Sequence, residues 1–324
     1  MNKLISIIIV NWNGLRWLKK CLDSLYAQTY QNFEIVFVDN GSQDDSIAFV
    51  EKNYPKARIV ASKENLGFAG GNNLGIMNSS GLYILLLNND TWVENDFLKN
   101  IFENFKTKKC DVFGVTETKY ETFKRRKYRL KIDLFGNQVP FRNNVESLEP
   151  FYISGACLFF KKKLYLETGG LDSDFFMYCE EVDWFWRLHL MERKISQSDN
   201  MFVHHARSKD FGKKLKPLVF LWRNQNTLQM LLKNYKWFNL LWVLLIYFIQ
   251  NVFEILFFLF ILRPKISLSY IQGWWFNVKN FKKIMQKRKW VQENRKIGDF
   301  EIMKKMYIGP GKVVHLLKFL KINI

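Results

Sequence analysis

The sequence predicts an α/β protein whose mostly parallel sheet is covered by helices on both faces. Three short runs, at residues 4–10, 33–38 and 84–87, are largely apolar, as expected of strands buried on both sides. Segments with helical periodicity alternate with these runs, the order that gives a parallel sheet. A length of 324 residues and a hydrophobic content of 48% are enough for one such domain and an appendage.

The first ninety residues follow this alternation without a break. In chain order they give a strand at 4–10, a helix with leucines on one face at 15–25, a strand at 33–38, a helix beginning near Asp44 and Asp45, a weaker strand at 57–61, a helix opening at the glycine-rich segment 67–73, and the aliphatic strand 84–87.

Amides and carboxylates close three of the predicted strands. They are Asn11 and Asn13 after the first strand, Asp39 and Asn40 after the second, and Asn88, Asn89 and Asp90 after the last. Parallel strands place their carboxyl ends along one edge, where ligands of open α/β sheets bind. Three unrelated polar turns are the alternative, which three clusters on one edge disfavour. Asp90 carries the oxygen ligands that Mg²⁺ and Mn²⁺ prefer.

Several other classes of protein are poorly supported. The sequence has no GxxxxGK[ST] motif, and Gly67-Phe68-Ala69-Gly70-Gly71 does not follow GxGxxG. The four cysteines are widely spaced, without zinc or redox spacing, which favours a reduced cytoplasmic protein. The apolar run at 4–10 is too short for the core of a signal peptide, so none is expected.

The chain resembles the family 2 glycosyltransferases with the GT-A fold. The blocks that carry this resemblance are ISIIIVNWNG (5–14), FEIVFVDNGSQDDS (33–46), ENLGFAGGNN (64–73) and ILLLNND (84–90). It covers roughly residues 4–235 and is closest to enzymes of cell-surface polysaccharide synthesis that are often called rhamnosyltransferases. It implies an inverting transfer of a sugar from a nucleotide-diphosphate sugar.

The resemblance also implies roles for individual residues. Asp39 matches the carboxylate that binds the nucleotide base, Asn11 and Asn13 lie beside that base, and Asn65 and Asn72 match positions near the ribose and donor sugar. Asn88-Asn89-Asp90 stands where the family has DxD, and Asn88 replaces the first Asp. Asp90 is then the one carboxylate left for a divalent Mg²⁺ or Mn²⁺, so we expect the diphosphate to supply more of the ligands.

Three carboxylates, Glu180, Glu181 and Asp183, crowd the start of a helix predicted to end near residue 192. Their mutual repulsion raises at least one pKa, whereas simple charge complementarity with the helix N-terminus is the alternative reading. In the family an Asp of an ED motif takes the proton from the acceptor hydroxyl. Glu181 stands at that position, Asp183 is the second candidate, and Glu180 shares a helix face with Asp183.

His204 and His205 follow a short predicted strand at 202–203. A histidine at this place completes the metal site in many GT-A enzymes, so the resemblance makes both candidate ligands. An exposed pair beside basic residues is the alternative. The basic run 124–129 is either a solvated loop or a site that meets lipid phosphate.

From residue 237 to residue 262 the chain is strongly apolar and long enough to span a bilayer. Tyr247, Gln250, Asn251 and Glu254 nevertheless form a polar stripe on one helix face, which favours a helix in the interface or against a partner. A buried core helix is the soluble alternative. Residues 263–324 carry 15 Lys and Arg against three acidic residues, with tryptophans among them, which indicates an anionic membrane surface.

The sequence thus predicts a glycosyltransferase domain over 1–235, with its nucleotide half at about 1–115 and its acceptor half at about 116–235, and a membrane-associated helical region over 236–324. The expected partners are a nucleotide-sugar donor, a lipid-linked saccharide acceptor and an anionic membrane surface, at the cytoplasmic face of the membrane. No nucleic acid is expected.

Two other functions compete with this reading. A basic nucleic-acid-binding protein would explain the net charge of +19, yet residues 1–100 carry nine basic against ten acidic residues. A membrane-anchored scaffold or transport component would explain the apolar segment at 237–262, but it leaves the polar clusters at the strand ends without a purpose.

Overall fold

A computed structural model describes residues 4–119, 128–141, 149–206, 216–309 and 311–312. The strands are β1 (Ile5–Asn11), β2 (Phe33–Asn40), β3 (Arg58–Ser62), β4 (Tyr83–Leu87), β5 (Thr91–Trp92), β6 (Val112–Lys119), β7 (Arg129–Ile132), β8 (Gln138–Phe141), β9 (Cys157–Lys161) and β10 (Ile195–His205). Most of the basic run 124–129 lies outside the described residues.

Eleven helices are described. They are α1 (Leu15–Tyr26), α2 (Ser46–Asn53), α3 (Gly67–Met77), α4 (Phe97–Lys108), α5 (Lys162–Glu167), α6 (Glu180–Leu190), α7 (Pro217–Asn234), α8 (Trp237–Phe260), α9 (Pro264–Lys279), α10 (Phe281–Asn294) and α11 (Asp299–Lys305). Strand and helix alternate through α4, as the hydrophobic periodicity predicts.

Eight strands form one sheet in the order β3-β2-β1-β4-β9-β6-β10-β5. Four of its seven strand pairs are parallel, which confirms the predicted mostly parallel α/β fold. β9 pairs antiparallel with both β4 and β6, and β5 pairs antiparallel with β10. β9 therefore joins the four parallel strands β3, β2, β1 and β4 to the parallel pair β6 and β10.

Side chains of β4 alternate between two cores, one on each face of the sheet. Ile84 and Leu86 pack in the core that α3, α6 and α7 cover, and Leu85 and Leu87 pack in the core beneath α1 and α4. All four are at most 2% exposed. A strand buried on both faces needs an unbroken apolar run, and this explains the sequence Ile-Leu-Leu-Leu.

Three predicted elements differ from those observed. β10 starts at Ile195 rather than near residue 202, because its polar first half pairs with β6 and the register shifts between Gln197 and Phe202. α6 ends at Leu190, two residues early, because Glu192 adopts a positive φ of 57°. α8, predicted over the apolar segment 237–262, ends at Phe260, two residues early, because Leu262 adopts a positive φ of 56°.

Helices α8, α9 and α10 pack against α7. The Nη1 of Arg288 on α10 donates to the Tyr235 carbonyl (2.7 Å), and the Arg288 guanidinium lies 4.0 Å from the centre of the Trp237 ring. The backbone N–H of Lys236 donates to Asp299 at the start of α11 (2.8 Å). The chain thus passes from the predicted catalytic region into the predicted tail through a bonded, packed junction.

Candidate active site

The ends of β1, β2 and β4 meet at one edge of the sheet. Asn11 is paired in register with Asp39, and the Asn89 side-chain amide donates to Asn11 Oδ1 (2.7 Å). Gly14 lies against this contact, and a Cβ there would fall 2.2 Å from Asn89 Nδ2 and 2.3 Å from Asn11 Oδ1. The glycine therefore permits the bond that joins the first and last strand ends.

Asp39 lies near the end of β2 at this edge and is 2% exposed. Its Oδ2 accepts a hydrogen bond from the backbone N–H of Ser42 (3.0 Å), and Ser42 Oγ in turn accepts bonds from Asn11 Nδ2 (3.2 Å) and the Asn13 N–H (3.0 Å). Asp39 Oδ1 is buried without a partner among the described residues. An unpaired buried acceptor of this kind is costly unless a ligand donor reaches it.

The remaining amides shape the loops around this carboxylate. Asn13, with φ of 49°, accepts a bond from the Gln43 N–H, while the buried Asn40 donates to Asn65 Oδ1 (3.0 Å) and accepts from the Leu66 N–H (3.0 Å). Asn72 is buried and its amide donates to the Phe68 carbonyl within α3 (2.8 Å). Asn40, predicted only as part of the polar cluster that closes the second strand, thus joins the end of β2 to the loop before α3.

Asp90 lies beside His205 just past the end of β4. Asp90 Oδ1 is 3.1 Å from His205 Nε2, and His205 Nδ1 is 3.1 Å from Oε2 of the buried Glu117 on β6. Burial lowers the pKa of His205, but its hydrogen bonds to the Asp90 and Glu117 carboxylates outweigh that effect and raise the pKa to about 9. The ring is thus held between two carboxylates.

This arrangement fits a divalent cation. Asp90 Oδ1 and His205 Nε2 are an oxygen and a nitrogen donor placed side by side, and Glu117 bonds the other ring nitrogen as second-shell carboxylates do at metal sites. Within the described ranges no group of three or more His, Cys, Asp or Glu side chains is placed to hold a metal. Asp90 and His205 are thus the two candidate ligands here, and Asn88 contributes no carboxylate.

His204 lies on the other face of β10, since successive residues of a strand point in opposite directions. Its Nε2 is 3.1 Å from Glu94 Oε1, its Nδ1 is 3.1 Å from Thr118 Oγ1, and its ring stacks on Trp92 with centroids 5.3 Å apart. Of the two predicted histidines, the structure brings only His205 to Asp90.

A second group of polar residues surrounds the segment 172–181, here called the acidic loop. The loop contacts the start of α3, where the Phe68 N–H donates to the Phe176 carbonyl (2.8 Å). Gly67 has φ of +72°, and a Cβ there would lie 2.0 Å from the same carbonyl oxygen, so only glycine fits. This contact brings the acidic loop next to the loop that Asn40 and Asn65 hold.

The acidic loop ends in two consecutive left-handed residues, Tyr178 (φ 71°) and Cys179 (φ 67°). Each costs about 1–2 kcal/mol for a residue other than glycine. The Asn226 side chain on α7 stabilises this turn by donating to the Met177 (2.9 Å) and Tyr178 (2.8 Å) carbonyls. The strained turn is therefore fixed by a neighbouring helix and delivers Glu180 and Glu181 at the start of α6.

The two glutamates differ in their surroundings. Glu180 is buried, its Oε2 has no partner among the described residues, and burial together with the Glu181 charge raises its pKa well above the ordinary value. Glu181 is partly exposed, and burial raises its pKa to about 7, while the Arg223 charge opposes that rise. The protonated form is therefore favoured more strongly at Glu180 than at Glu181.

Asp183, the second base candidate, is fully buried and paired with cations. Its Oδ2 lies 3.0 Å from Arg187 Nε and 3.0 Å from Lys233 Nζ, and its Oδ1 accepts a bond from Asn234 Nδ2 (3.1 Å). Lys233 also contacts Asp172 at the other end of the acidic loop (2.6 Å). One buried lysine therefore contacts Asp172 at the start of the acidic loop and Asp183 just after it on α6.

Helix α10 holds the outer side of the same loop. Lys287 bonds Asp172 and Asp174 (2.6 Å to the latter), and Lys283 bonds Asp174 (2.6 Å). Burial alone would raise the pKa of Asp172, but the Lys233 and Lys287 ammonium groups outweigh it and hold the pKa well below its usual range. Sequence reasoning missed Asn226, Lys233 and Lys287, and the signal available was a set of polar residues inside a helical pattern.

Comparisons with known proteins identify the family of this chain. The sequence profile described as Glycosyl transferase family 2 matches residues 6–167. The chain is 32% identical over 110 residues to glycosyltransferase GlyA and 31% identical over 116 residues to glycosyltransferase GlyG, both of Streptococcus pneumoniae serotype 4. These matches cover 33% and 35% of this chain, and only 16% and 38% of the two relatives.

Solved structures share the fold at low identity. The crystal structure of Staphylococcus aureus TarS 1–349 matches with a TM-score of 0.52 and 16% identity over 71% of this chain and 66% of that one. GalNAc-T7, solved with UDP, GalNAc and Mn²⁺, matches with a TM-score of 0.57 and 12% identity over 71% of this chain and 48% of that one. Both are GT-A-like structures. With half of its length matched by the family profile and its strand ends arranged in this way, the chain is a glycosyltransferase of family 2.

Proposed function

We propose that the protein is an inverting glycosyltransferase that moves a sugar from a nucleotide-diphosphate sugar to a lipid-linked saccharide in the synthesis of a cell-surface polysaccharide. The observation that carries the donor side is the buried Asp39 carboxylate, whose Oδ1 lacks a partner among the described residues at the edge where three strands end. A rhamnosyl donor is the narrower form of this proposal.

The nucleotide base donates an N–H to Asp39 Oδ1 in this proposal, and Asn11 and Asn13 close the loop beside it. Asn65 and Asn72 line the ribose and sugar end, and Asn88 and Asn89 flank the diphosphate. TarS is also described in complex with UDP and with UDP-GlcNAc. UDP-sugars are therefore the first donors to test.

Asp90 and His205 are the proposed protein ligands of a divalent Mg²⁺ or Mn²⁺, with Glu117 holding the imidazole in place. When bound, such an ion neutralises charge that develops on the diphosphate leaving group. Two protein ligands leave several positions open, which suits a metal that arrives with the diphosphate of the donor. His204, engaged with Glu94 and Thr118, has no part in this proposal beyond supporting β10.

Glu181 is the proposed general base. It takes the proton of the acceptor hydroxyl, whose oxygen attacks the anomeric carbon from the face opposite the nucleotide. The bond from that carbon to the diphosphate oxygen breaks, and the nucleotide diphosphate leaves with the electron pair. Glu180, whose burial favours the protonated form, and Asp183, held by Lys233 and Arg187, position Glu181 and the acceptor.

The acceptor is proposed to be lipid-linked because the same chain carries a surface suited to membranes. Helix α8 is the one described helix long and apolar enough to cross a membrane by length and composition. Residues 263–324 add 15 Lys and Arg against three acidic residues. An enzyme at the cytoplasmic face of the membrane meets both a soluble nucleotide sugar and a lipid-linked saccharide.

Donor binding is tested by thermal unfolding with a panel of UDP-, dTDP- and GDP-sugars, with and without Mn²⁺, because a bound ligand raises apparent stability. We expect one nucleotide class to raise the unfolding temperature in wild type and to have little effect on Asp39→Ala. Transfer is then followed as nucleotide release and as product formed on polyprenyl-linked saccharides. An unfolding temperature that no nucleotide sugar changes at saturating concentration would contradict the proposal.

A further inference from the structure

Helix α8 buries polar side chains and exposes apolar ones, the reverse of a helix on the surface of a soluble protein. Tyr247 and Asn251, members of its polar stripe, have no exposed surface, and the Tyr247 hydroxyl donates to the Asn224 carbonyl on α7 (3.2 Å). On the opposite side, Phe238, Leu241 and Phe253 are 82%, 69% and 68% exposed in the described part of the chain. A surface helix in water would show the opposite pattern.

Helix α9 extends the same apolar face. Its polar residues Ser267 and Ser269 are buried, and the Asn277 amide donates to the Gln225 carbonyl on α7 (3.0 Å). Its large apolar residues point away from α7 and are exposed. They are Leu268, Ile271, Trp275 and Val278. Two packed helices thus present one apolar surface, which for a helix of 24 residues runs for about 36 Å.

Basic and aromatic residues border this apolar face. Exposed cations lie at the ends of the two helices, at Lys236, Arg263, Lys265, Lys279 and Lys282. Exposed tryptophans accompany them at Trp237 and Trp275, and the Lys279 ammonium lies 5.7 Å from the centre of the Trp275 ring. Tryptophan and lysine at an apolar border match the head-group region of an anionic bilayer better than a protein partner.

The packing of α7 against α8 and α9 distinguishes a helix that crosses the bilayer from one that lies in its surface. Phe220 on α7 contacts Phe258 of α8 and Tyr270 of α9, with ring centroids 5.1 and 6.2 Å apart. The same α7 carries Asn226, which holds the acidic loop. If α8 crossed the bilayer, α7 and the acidic loop beside it would enter the hydrocarbon with their polar groups.

We infer that α8 and α9 lie in the plane of an anionic membrane and seat their shared apolar face in a single leaflet, without crossing it. Because α7 joins this face to the acidic loop, the seating holds Glu181 at a fixed height above the lipid head groups. The inference rests on the proposed function in one respect, since that height suits an acceptor whose lipid tail stays in the same leaflet.

The test is the depth of three labels along α8 in the full-length protein. All four native cysteines are buried, so nitroxide labels are attached separately at Leu241→Cys, Ile249→Cys and Leu256→Cys. In vesicles of equal parts phosphatidylethanolamine and phosphatidylglycerol, we expect all three at a similar depth of about 5–10 Å below the phosphates. A label near the bilayer centre at Ile249, with Leu241 and Leu256 near opposite surfaces, would overturn the inference in favour of a spanning helix.

A matched pair of variants completes the test. Replacing Leu241, Leu245 and Phe253 by serine should weaken vesicle binding about tenfold or more, since three exposed apolar side chains lose their contact with lipid. Replacing Met77 and Leu82 by serine should change vesicle binding less than about twofold, since these exposed apolar residues lie far from α8 in the sequence. Labels on α8 that are shielded from water without vesicles would place another copy, or another part of this chain, on the face and overturn the inference.

Nucleotide-sugar binding is measured on the same labelled proteins by thermal unfolding. Equal shallow depths without any donor binding would contradict the proposed function and leave the seating intact. Donor binding with labels that remain in water in the presence of vesicles would do the reverse. The two claims therefore fail through different measurements.

Discussion

The donor edge and the acidic loop hold their carboxylates in different ways. At the donor edge, Asp39 and Asp90 stand at or just past the ends of strands, and their neighbours are the amides of other strand ends and the His205 ring. In the acidic loop, Glu181 depends on Asn226, Lys233 and Lys287, which come from helices about 50 to 110 residues further along the chain. Substitutions at the donor edge should therefore affect ligands first, and substitutions around the loop should affect stability as well.

The largest effect is expected at the donor edge. Asp90→Asn removes the one carboxylate at the proposed metal position, and transfer should fall by about 10⁴-fold or more because the leaving diphosphate loses its charge compensation. The thermal unfolding temperature without ligand should change little, since an Asn side chain can still accept a hydrogen bond from His205 and Glu117 still compensates the charge of that ring. Transfer rates across a Mn²⁺ titration, with unfolding curves beside them, measure both.

Asn88→Asp is the matched variant for Asp90→Asn. It adds the carboxylate that the family has at this position, so transfer should reach half its maximum at a lower Mn²⁺ concentration. Wild-type turnover in Asp90→Asn at any Mn²⁺ concentration would show that Asp90 does not bind the metal. The donor edge would then not differ from the acidic loop in the way stated above.

The next effect is expected in the acidic loop. Glu181→Gln keeps the shape of the side chain but cannot accept a proton, and the rate should fall by about 10²- to 10⁴-fold with donor binding unchanged. Glu181→Asp should keep part of the activity, because a carboxylate is present one methylene further back. Rates at saturating donor and donor-induced thermal shifts measure the two properties separately.

Asp183→Asn distinguishes chemistry from support. Removing the charge leaves Lys233 and Arg187 incompletely compensated in a buried site, and this should lower the free energy of unfolding by about 3–5 kcal/mol. At temperatures where the variant is folded, most of the activity should remain. If Asp183→Asn is inactive while folded and Glu181→Gln keeps most of its rate, Asp183 is the proton acceptor.

A smaller effect should come from helix α7. Asn226→Leu removes two hydrogen bonds from the strained turn at Tyr178 and Cys179, and a displaced Glu181 should lower kcat by about 10- to 10²-fold with little change in donor binding. Gln229→Leu is the control on the same helix. Gln229 is fully buried and its amide has no partner among the described residues, so an apolar side chain there should be neutral or stabilising. Equal losses in both variants would mean that the helix, not the turn, is being measured.

The fold could be predicted because a strand buried on both faces of a sheet has an unbroken apolar sequence. The run Ile84–Leu87 is buried on both faces, and strand ends follow from where such runs stop. Glu117 could not be predicted as a site residue because it lies between two threonines in a strand. Its role is visible only from its contact with His205 in the folded protein. The stripe of Tyr247 and Asn251 was visible, but a pattern of period 3.6 does not say which side of a helix meets the protein.

The smallest effect concerns pH and the charge beside the base. Burial raises the pKa of Glu181 to about 7, so the base is protonated and inactive below that pH, and kcat/KM should fall about tenfold per pH unit on the acid side. The groups that act on it or respond to it are Glu180, Arg223, Tyr152 and Cys179. Of these, Arg223 carries the charge that favours the ionised carboxylate.

Arg223→Gln removes that charge, so the acid limb should move to higher pH by less than about one unit, with the rate on the alkaline plateau nearly unchanged. Glu181→Gln, assayed over the same range, should lose this limb altogether, because the titrating group is gone. A limb that keeps its position in Arg223→Gln and persists in Glu181→Gln would belong to another group, and the acidic loop would then position the acceptor without accepting its proton.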